Sequence, residues 1–237
     1  MNTKKEFGDF QTPESLAKEM TAILKAKGYT PSVVVEPTCG LGSILLAVNE
    51  ALNPTRALGI EIQGHYVEIL SEKIQPNTVL LNQDFFKSTN SIKEFVKDYQ
   101  NILFVGNPPW VTNSELSAHL STNLPQKSNF DNIKGIEAIT GKSNFDISEY
   151  IIRELISNFS DKKAVFAFLC KIGVAKKIIG KLWKANFTYK SAEIYPIDAE
   201  KYFNASVDAC FFLLDCTDKS VKTELTVYNA IESRNLS

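Results

Sequence analysis

Continuous apolar runs that alternate with helix-like segments are the feature that most restricts the fold of this chain. Six runs rich in β-branched or aromatic residues recur, at residues 33–35, 57–60, 79–81, 102–105, 164–169 and 209–214. Runs that are apolar at every position are typical of strands covered on both faces of a sheet, and helix-like segments lie between most of them. The sequence therefore predicts a doubly wound α/β domain.

The helices are predicted from residue spacing. Four apolar residues in the segment 13–27 recur at the intervals of one helical face: Leu16, Met20, Ile23 and Leu24. Thr12 before Pro13 predicts an N-cap followed by a proline at the first helical position. Further helices are expected at residues 42–52, 64–74, 146–159 and 172–184. The segment 197–203 reads by itself as a loop with buried aromatic residues.

Length and composition indicate one domain and exclude several classes of site. The 237 residues, 44% of them hydrophobic, suit a single large core. No apolar run reaches the ~18 residues needed to span a bilayer, and the first residues lack the apolar stretch of a secretion signal, so we expect a cytoplasmic protein without membrane contact. The four scattered cysteines are expected to be reduced thiols. Together with the two histidines they offer no usual zinc spacing, so no metal site is expected.

The charge distribution is uneven although the net charge is only −1. Residues 162–190 carry eight lysines and no acidic residue. This lysine-rich segment fits the solvated face of a helix and fits a phosphate-contacting surface equally well. Arginine, which commonly reads base edges, occurs only three times in the chain, so base-specific recognition is poorly supplied.

Three acidic residues are expected at the ends of successive strands, where doubly wound sheets bind ligands. Glu36 precedes a glycine-bearing turn, and Glu61 and Asp84 each follow one strand–helix–strand step later. A carboxylate only accepts hydrogen bonds, so Glu61 suits the two hydroxyls of a ribose. Asp84 with Phe85 suits the amine and the ring of an adenine, and Glu36 could bind an ammonium group.

The glycine turn is not a dinucleotide fingerprint. Gly40 and Gly42 are followed by Leu45 at the position of the third glycine, which disfavours a cofactor with a pyrophosphate. A nucleoside that carries an ammonium group, such as S-adenosylmethionine, fits the three acids better.

The stretch GNPPW at residues 106–110 follows the fourth predicted strand. The two prolines hold Asn107 and Pro108 in extended conformations, so the Asn107 side-chain oxygen and the Pro108 carbonyl could accept both hydrogens of one NH₂ group. Two such hydrogen bonds relocalise the lone pair of an amine on an aromatic ring and aim it at a methyl donor. Trp110 offers a flat face to a base taken out of its stack.

With these motifs the chain resembles the N6-adenine DNA methyltransferases of restriction-modification systems, specifically the gamma class, whose cofactor-binding elements precede the catalytic ones. The resemblance covers nearly the whole chain and rests on FQTP at 10–13, VEPTCG at 35–40, GIEI at 59–62, NQDFF at 82–86 and NPPW at 107–110. It implies a Rossmann-like class I S-adenosylmethionine-dependent methyltransferase fold, with a mostly parallel seven-stranded sheet and helices on both faces.

The resemblance also implies roles for individual residues. Cofactor contacts are expected from Phe10, Thr12, Pro13, Glu36, Thr38, Gly40, Glu61, Ile62, Asp84, Phe85 and Asn107. The catalytic residues would be Asn107, Pro108, Pro109 and Trp110. The flipped adenine would be bound by Trp110, Asn144, Phe145 and Phe203, with Tyr202 as the alternative to Phe203.

The expected activity is methyl transfer from S-adenosylmethionine to the N6 amino group of a flipped adenine in DNA, by a catalytic domain at residues 1–217 with an Asn- and Ser-rich target loop at 111–145. Residues 218–237 would be a tail leading to a target-recognition domain that is missing here or supplied by another subunit. One alternative substrate is a protein glutamine, disfavoured by FQTP and the long insertion. Another alternative is an inactive cofactor-binding partner subunit, disfavoured by the intact NPPW.

We predict that the isolated 237-residue chain binds DNA weakly and with little sequence preference, because few residues in it suit base-edge recognition. Titration of short duplexes with the purified chain measures this. Nanomolar, sequence-selective binding would contradict the prediction.

Overall fold

All eight strands of the described chain belong to one sheet. The computed structural model describes residues 10–112, 146–218 and 224–229. The strands are β1 Val33–Glu36, β2 Arg56–Glu61, β3 Thr78–Asn82, β4 Ile102–Gly106, β5 Val165–Lys171, β6 Ser191–Ile197, β7 Ala209–Asp215 and β8 Thr226–Val227. The helices are α1 Glu14–Ala26, α2 Ser43–Leu52, α3 Gly64–Ser71, α4 Thr89–Val96, α5 Ile147–Phe159, α6 Ile172–Lys184 and α7 Ala199–Phe203.

The strand order is β3-β2-β1-β4-β5-β7-β6-β8. Strands β1 to β5 pair in parallel, whereas β7 runs antiparallel to both β5 and β6. The predicted α/β fold with a mostly parallel sheet is confirmed. The sheet has eight strands instead of seven, because Thr226–Val227 pairs in parallel with β6. Two residues of the expected C-terminal tail therefore belong to the sheet.

Helices cover both faces of the sheet. Val33 and Val35 of β1 point into an apolar cluster with residues of α4, α5 and α6. Val34 points to the opposite face, into a cluster with residues of α1 and α2 and with Leu70 of α3. Successive residues of a strand face opposite sides, so a strand that is apolar at every position needs both of these layers. In the described ranges, no helix has the length and apolarity required to cross a bilayer.

The predicted strands and helices are present, with local differences. Helix α1 begins at Glu14, and Pro13 is its N-cap, with φ −60° and ψ 145° and with its carbonyl accepting the Ala17 N–H at 3.1 Å. No side chain caps this helix, so the predicted Thr12 cap is wrong. Helix α4 was not predicted from the sequence, because its residues TNSIKEFV are mostly polar and carry only a short apolar stripe.

Strand β6 and helix α7 are the larger departures from the sequence prediction. Strand β6 contains Glu193 and Pro196, which interrupt its apolar pattern. Glu193 is nevertheless buried, because Lys27 binds its carboxylate at 2.7 Å. The expected loop 197–203 is the end of β6 followed by α7, whose first turn is capped by the Asp198 side chain accepting the Lys201 N–H at 3.0 Å.

The lysine-rich segment is partly paired with acidic residues from other parts of the chain. Within the described residues, four of its eight lysines form ion pairs: Lys171 with Asp146 at 3.0 Å, Lys177 and Lys181 with Glu149 at 2.7 and 3.1 Å, and Lys190 with Asp215 at 3.4 Å. Glu149 is buried on α5, so its pairs with α6 tie these two helices together. Lys176 and Lys184 on the same helix are exposed.

We predict that Phe166→Ala lowers the free energy of unfolding by about 3–5 kcal/mol, because truncating a large buried ring leaves a cavity. Phe166 is fully buried near the start of β5 and stacks on Phe104, with ring centroids 5.4 Å apart and an interplanar angle of 9°. Urea unfolding measures the loss. Gln100→Ala, at an exposed position, is the control and should change the stability by less than about 0.5 kcal/mol. Equal stability of the two variants would contradict this account of the core.

Candidate active site

A cleft of about 920 Å³, including the part open to solvent, lies at the carboxyl ends of the parallel strands. Glu36 is the last residue of β1, Glu61 is the last residue of β2, and Asn107 directly follows β4. Strand β1 lies between β2 and β4, so the chain leaves β1 at the point where the strand order reverses, which is the usual ligand site of such sheets. Asp84 does not end β3 as expected, because that strand stops at Asn82. Its side chain instead accepts the Phe86 N–H at 2.9 Å and starts a 3₁₀ turn.

The glycine loop after β1 is held by hydrogen bonds from its backbone N–H groups. Gly40 and Gly42 have φ values of +52° and +80°, which side chains other than glycine rarely adopt. The Gly40 N–H donates to Glu61 Oε2 at 2.9 Å, and the Leu41 N–H donates to Gln11 Oε1 at 2.9 Å. The Gly42 N–H donates to the Cys39 carbonyl at 2.7 Å. The loop therefore has a defined conformation before any ligand binds.

Glu36 is a buried carboxyl group at the base of the cleft. Burial raises the pKa of the Glu36 carboxyl well above its ordinary value. The Leu45 N–H, which donates to this carboxyl, lowers that pKa, whereas the nearby Glu61 charge raises it further. Burial and the charges of Glu36 and Glu61 likewise raise the pKa of the Cys39 thiol. An ionised Glu36 thus lacks a positive partner among these surroundings.

Three buried side-chain polar atoms in the described part of the chain have no hydrogen-bond partner: Glu36 Oε2, Thr38 Oγ1 and Asn107 Oδ1. All three residues line this cleft. Buried polar atoms without partners are rare in folded proteins because each costs about 1–3 kcal/mol. Their concentration at one place indicates that the cleft receives a polar ligand.

The Asn107 carboxamide is oriented by the N-terminal segment. Its Nδ2 donates to the Phe10 carbonyl at 2.9 Å. Because only the nitrogen can donate, this bond determines which way the amide points and leaves Oδ1 as a free acceptor. Pro108 is buried behind it, and Pro109 lines the cleft.

Three aromatic rings cluster beside Asn107. Trp110 is buried and donates its indole N–H to the Leu169 carbonyl at 3.3 Å. Its ring centroid lies 5.8 Å from that of Phe10 and 5.1 Å from that of Phe203, and Phe10 and Phe203 are 5.9 Å apart. The Trp110 and Phe203 planes meet at 75°, so the two rings do not form a parallel sandwich in this conformation.

Tyr202 lies at the edge of this aromatic cluster, with its ring centroid 6.4 Å from that of Phe203. Its hydroxyl lies 3.0 Å from both carboxylate oxygens of Glu19 on α1. This contact joins α7 to α1 and helps to place Phe203, the neighbouring residue, against Trp110.

The structure brings most of the predicted site residues to one cleft. Those that line it are Phe10, Thr12, Glu36, Thr38, Gly40, Glu61, Ile62, Asp84, Phe85, Asn107 and Pro109. Pro13 and Pro108 are not among its lining residues, and Trp110 and Phe203 lie in the adjoining aromatic cluster. Asn144 and Phe145 lie outside the described residues.

The lining residues that sequence reasoning missed include Gln11, Ile147 and Ile151. Gln11 lies inside the FQTP motif, which was a usable signal. The two isoleucines belong to α5, which an antiparallel bridge between Thr112 and Asp146 brings next to the cleft. Within the described ranges, no group of three or more His, Cys, Asp or Glu residues is placed to hold a metal ion.

Comparison with known proteins gives matches in sequence. Residues 1–174 match the family described as N-6 DNA Methylase. The chain is 39% identical over 222 residues to the Type II methyltransferase M.NspV of Nostoc sp., a match that covers 89% of this chain and 45% of that protein. The chain thus spans about half the length of this curated relative.

Solved structures match at the level of the fold. A protein of Listeria monocytogenes assigned as a class I S-adenosylmethionine-dependent methyltransferase has a TM-score of 0.61 and 14% identity, with 94% of this chain and 66% of that chain covered. A modification subunit assigned to a type I restriction enzyme of Vibrio vulnificus has a TM-score of 0.54 and 14% identity, with 95% and 48% covered. The predicted class I fold is confirmed. With its motifs, its fold and its sequence match over residues 1–174, the chain belongs to the N-6 DNA methylase family.

Proposed function

We propose that this chain is the catalytic part of an enzyme that transfers a methyl group from S-adenosylmethionine to the N6 amino group of an adenine flipped out of DNA. The single observation that carries the proposal is the set of unpartnered buried atoms of Glu36, Thr38 and Asn107, all on one cleft. Glu36 Oε2 and Asn107 Oδ1 are hydrogen-bond acceptors. Glu36 would accept from the ammonium group of the cofactor, and Asn107 would accept from the target amine.

S-adenosylmethionine fits the residues that line the cleft. Each oxygen of Glu61 accepts one backbone N–H, at 2.9 and 2.8 Å, and a carboxylate oxygen can accept a second hydrogen bond, such as one from a ribose hydroxyl. Glu36 Oε2 would accept from the ammonium group, whose positive charge offsets the cost of an ionised buried carboxylate. Asp84 and Phe85 would contact the adenine, and the half-exposed Ile62 offers an apolar edge to it.

The catalytic work assigned to this chain is positioning. When bound, S-adenosylmethionine supplies an electrophilic methyl group on a sulfonium centre. Asn107 Oδ1 and the Pro108 carbonyl would accept the two N–H bonds of the target amine and so localise its nitrogen lone pair. The Phe10 carbonyl holds Asn107 Nδ2, which keeps Oδ1 in the accepting orientation without reorganisation during the reaction.

The target base would stack beside Trp110. Stacked aromatic rings lie with centroids about 4.5–7 Å apart, so a base cannot enter between Trp110 and Phe203 while their own centroids are 5.1 Å apart. We infer that Phe203 moves away from Trp110 when the base enters. The pair would then face the two sides of the base.

Target recognition is proposed to lie outside this chain. The match to M.NspV spans 45% of that protein, which leaves room for a recognition part. We propose that residues 1–217 form most of the catalytic domain, that Thr226–Val227 completes its sheet, and that other residues of the segment 218–237 connect it to that part or to a partner subunit. Methylation within a restriction-modification system follows as the proposed biological setting.

We predict that Asn107→Ala lowers kcat by about 10²–10³-fold, as the loss of one preorganised hydrogen-bonding group does elsewhere. Cofactor affinity, measured by calorimetry, should change little. Transfer of labelled methyl groups to DNA lacking adenine methylation measures kcat, with release-factor protein as the second acceptor to test the glutamine alternative. Asn90→Ala, at an exposed position of α4, is the control.

If the Asn107→Ala variant transferred methyl groups at the wild-type rate, Asn107 would have no part in the reaction. Labelled methyl groups on the release factor and not on DNA would show that the substrate is a protein glutamine. Labelled methyl groups on neither acceptor would indicate a cofactor-binding subunit without activity.

We predict that Glu36→Gln makes the cofactor-free protein more stable than the wild type at pH 8. The raised pKa of Glu36 means that the folded protein keeps a proton that the unfolded chain releases near pH 4.3, the ordinary range for glutamate. Wild-type stability relative to the variant therefore falls as the pH rises from there to the folded-state pKa, by at most about 1.4 kcal/mol per pH unit. Denaturant unfolding from pH 4.5 to 8 measures the difference.

The same variant should bind S-adenosylmethionine about tenfold more weakly or worse, because a neutral amide replaces the partner of the ammonium group. Glu72→Gln, which removes an exposed carboxylate, is the matched control. A constant stability difference across the pH range would contradict the burial argument.

A further inference from the structure

Two consecutive residues before α1 contact the two functional loops of the cleft. The Gln11 side chain accepts the Leu41 N–H of the glycine loop at 2.9 Å. The Phe10 carbonyl accepts from Asn107 Nδ2 at 2.9 Å. Leu41 and Asn107, which are far apart in the sequence, are therefore connected through the adjacent residues Phe10 and Gln11.

The Gln11 amide is packed closely on the glycine loop. A Cβ atom at Gly40 would lie 2.5 Å from Gln11 Oε1 and 2.8 Å from Nε2, so the amide occupies the space that glycine leaves open. Gln11 itself lines the cleft and is half-buried. A side chain held by both a hydrogen bond and close packing transmits a displacement of the loop to its own backbone.

The segment is anchored on its other side. Thr12 is buried, and α1 follows directly with Leu16, Ala17 and Met20 in the core. Since the helix holds one end, Gln11 and Phe10 have little freedom apart from their contacts with the glycine loop, Asn107 and the rings of Trp110 and Phe203.

We propose that Gln11 is a positioning residue that relays the conformation of the cofactor loop to the catalytic amide, by way of the Leu41–Gln11 and Phe10–Asn107 hydrogen bonds. Binding of the methyl donor against the glycine loop then orients Asn107 for the target amine. The inference rests on the proposed function, since it assigns Gln11 a part in the same reaction. The proposed role requires a hydrogen-bond acceptor in the side chain at position 11 that reaches the Leu41 N–H.

The side-chain NH₂ resonances of Asn107 test the relay in the free protein, before any ligand is added. In ¹⁵N-labelled protein, Gln11→Met, which keeps the reach and loses the acceptor, should shift these resonances because the Phe10 carbonyl is no longer held. Gln11→Glu, which keeps an acceptor, should retain the wild-type positions. Gln100→Met, at the opposite end of β4, is the control for a Gln-to-Met change.

Activity provides the second measurement. Gln11→Met should lower kcat about tenfold, with a smaller change in KM for S-adenosylmethionine, since the lost property is the orientation of a reacting group. Gln11→Glu should restore most of the loss. Methionine keeps the reach of glutamine, so a role of Gln11 in packing alone would leave kcat of Gln11→Met near the wild-type value.

Unchanged Asn107 resonances in Gln11→Met would overturn the proposal, whatever the activity of the protein. If that variant does not fold, amide exchange in the wild type decides: slow exchange of the Leu41 N–H supports the Gln11 bond, and exchange as fast as in an unstructured peptide overturns it. Failure of the proposed function is distinguishable, because it would appear as absent methyl transfer in the wild type while the resonances still report on the relay.

Discussion

The parallel pairing of β1 with β4 is the constraint on which the site depends. Val33, Val34 and Val35 pair in register with Ile102, Leu103 and Phe104, so the two strands end at the same edge of the sheet. Glu36 and Asn107 are thereby brought to one cleft although a large part of the chain separates them. Parallel strands need crossovers, and the helices that provide these crossovers also cover the two faces.

The cleft is maintained at a cost in stability. Glu36, Thr38 and Asn107 each leave a buried polar atom without a partner, and the Glu36 carboxyl has its pKa raised by burial. The surrounding groups are by contrast well paired, with the amides of Gly40, Leu41 and Gly42 all bound within the chain. A rigid frame around a few unsatisfied groups is the arrangement expected of a preorganised binding site.

The aromatic cluster and the N-terminal segment show how the same contacts serve both packing and function. Trp110, Phe203 and Phe10 pack against one another beside Asn107, and the Tyr202 contact with Glu19 joins α7 to α1. The edge-on packing of Trp110 against Phe203 is a closed arrangement, since the rings fill the space that a stacked base would need. The free protein thus stabilises its apolar rings against one another.

The features that could be predicted from the amino-acid sequence are mainly local. The spacing of Leu16, Met20, Ile23 and Leu24 predicted α1, and the motif residues Glu36, Glu61 and Asn107 were placed correctly at strand ends. These features depend on backbone preference and on which residue types follow one another, so they can be recognised without knowing the neighbours of a strand. The same reasoning failed where a charged residue is buried in a strand. Glu193 in β6 is buried because Lys27 neutralises its charge.

The contacts between residues far apart in the sequence follow from the folded structure and could not be predicted from the sequence. The contact of Gln11 with Leu41, the hydrogen bond from Asn107 to Phe10, and the ion pairs that Glu149 forms with Lys177 and Lys181 join segments that no periodicity relates. The physical reason is that strand order sets these contacts, and strand order follows from the packing of the whole sheet with its two helical layers.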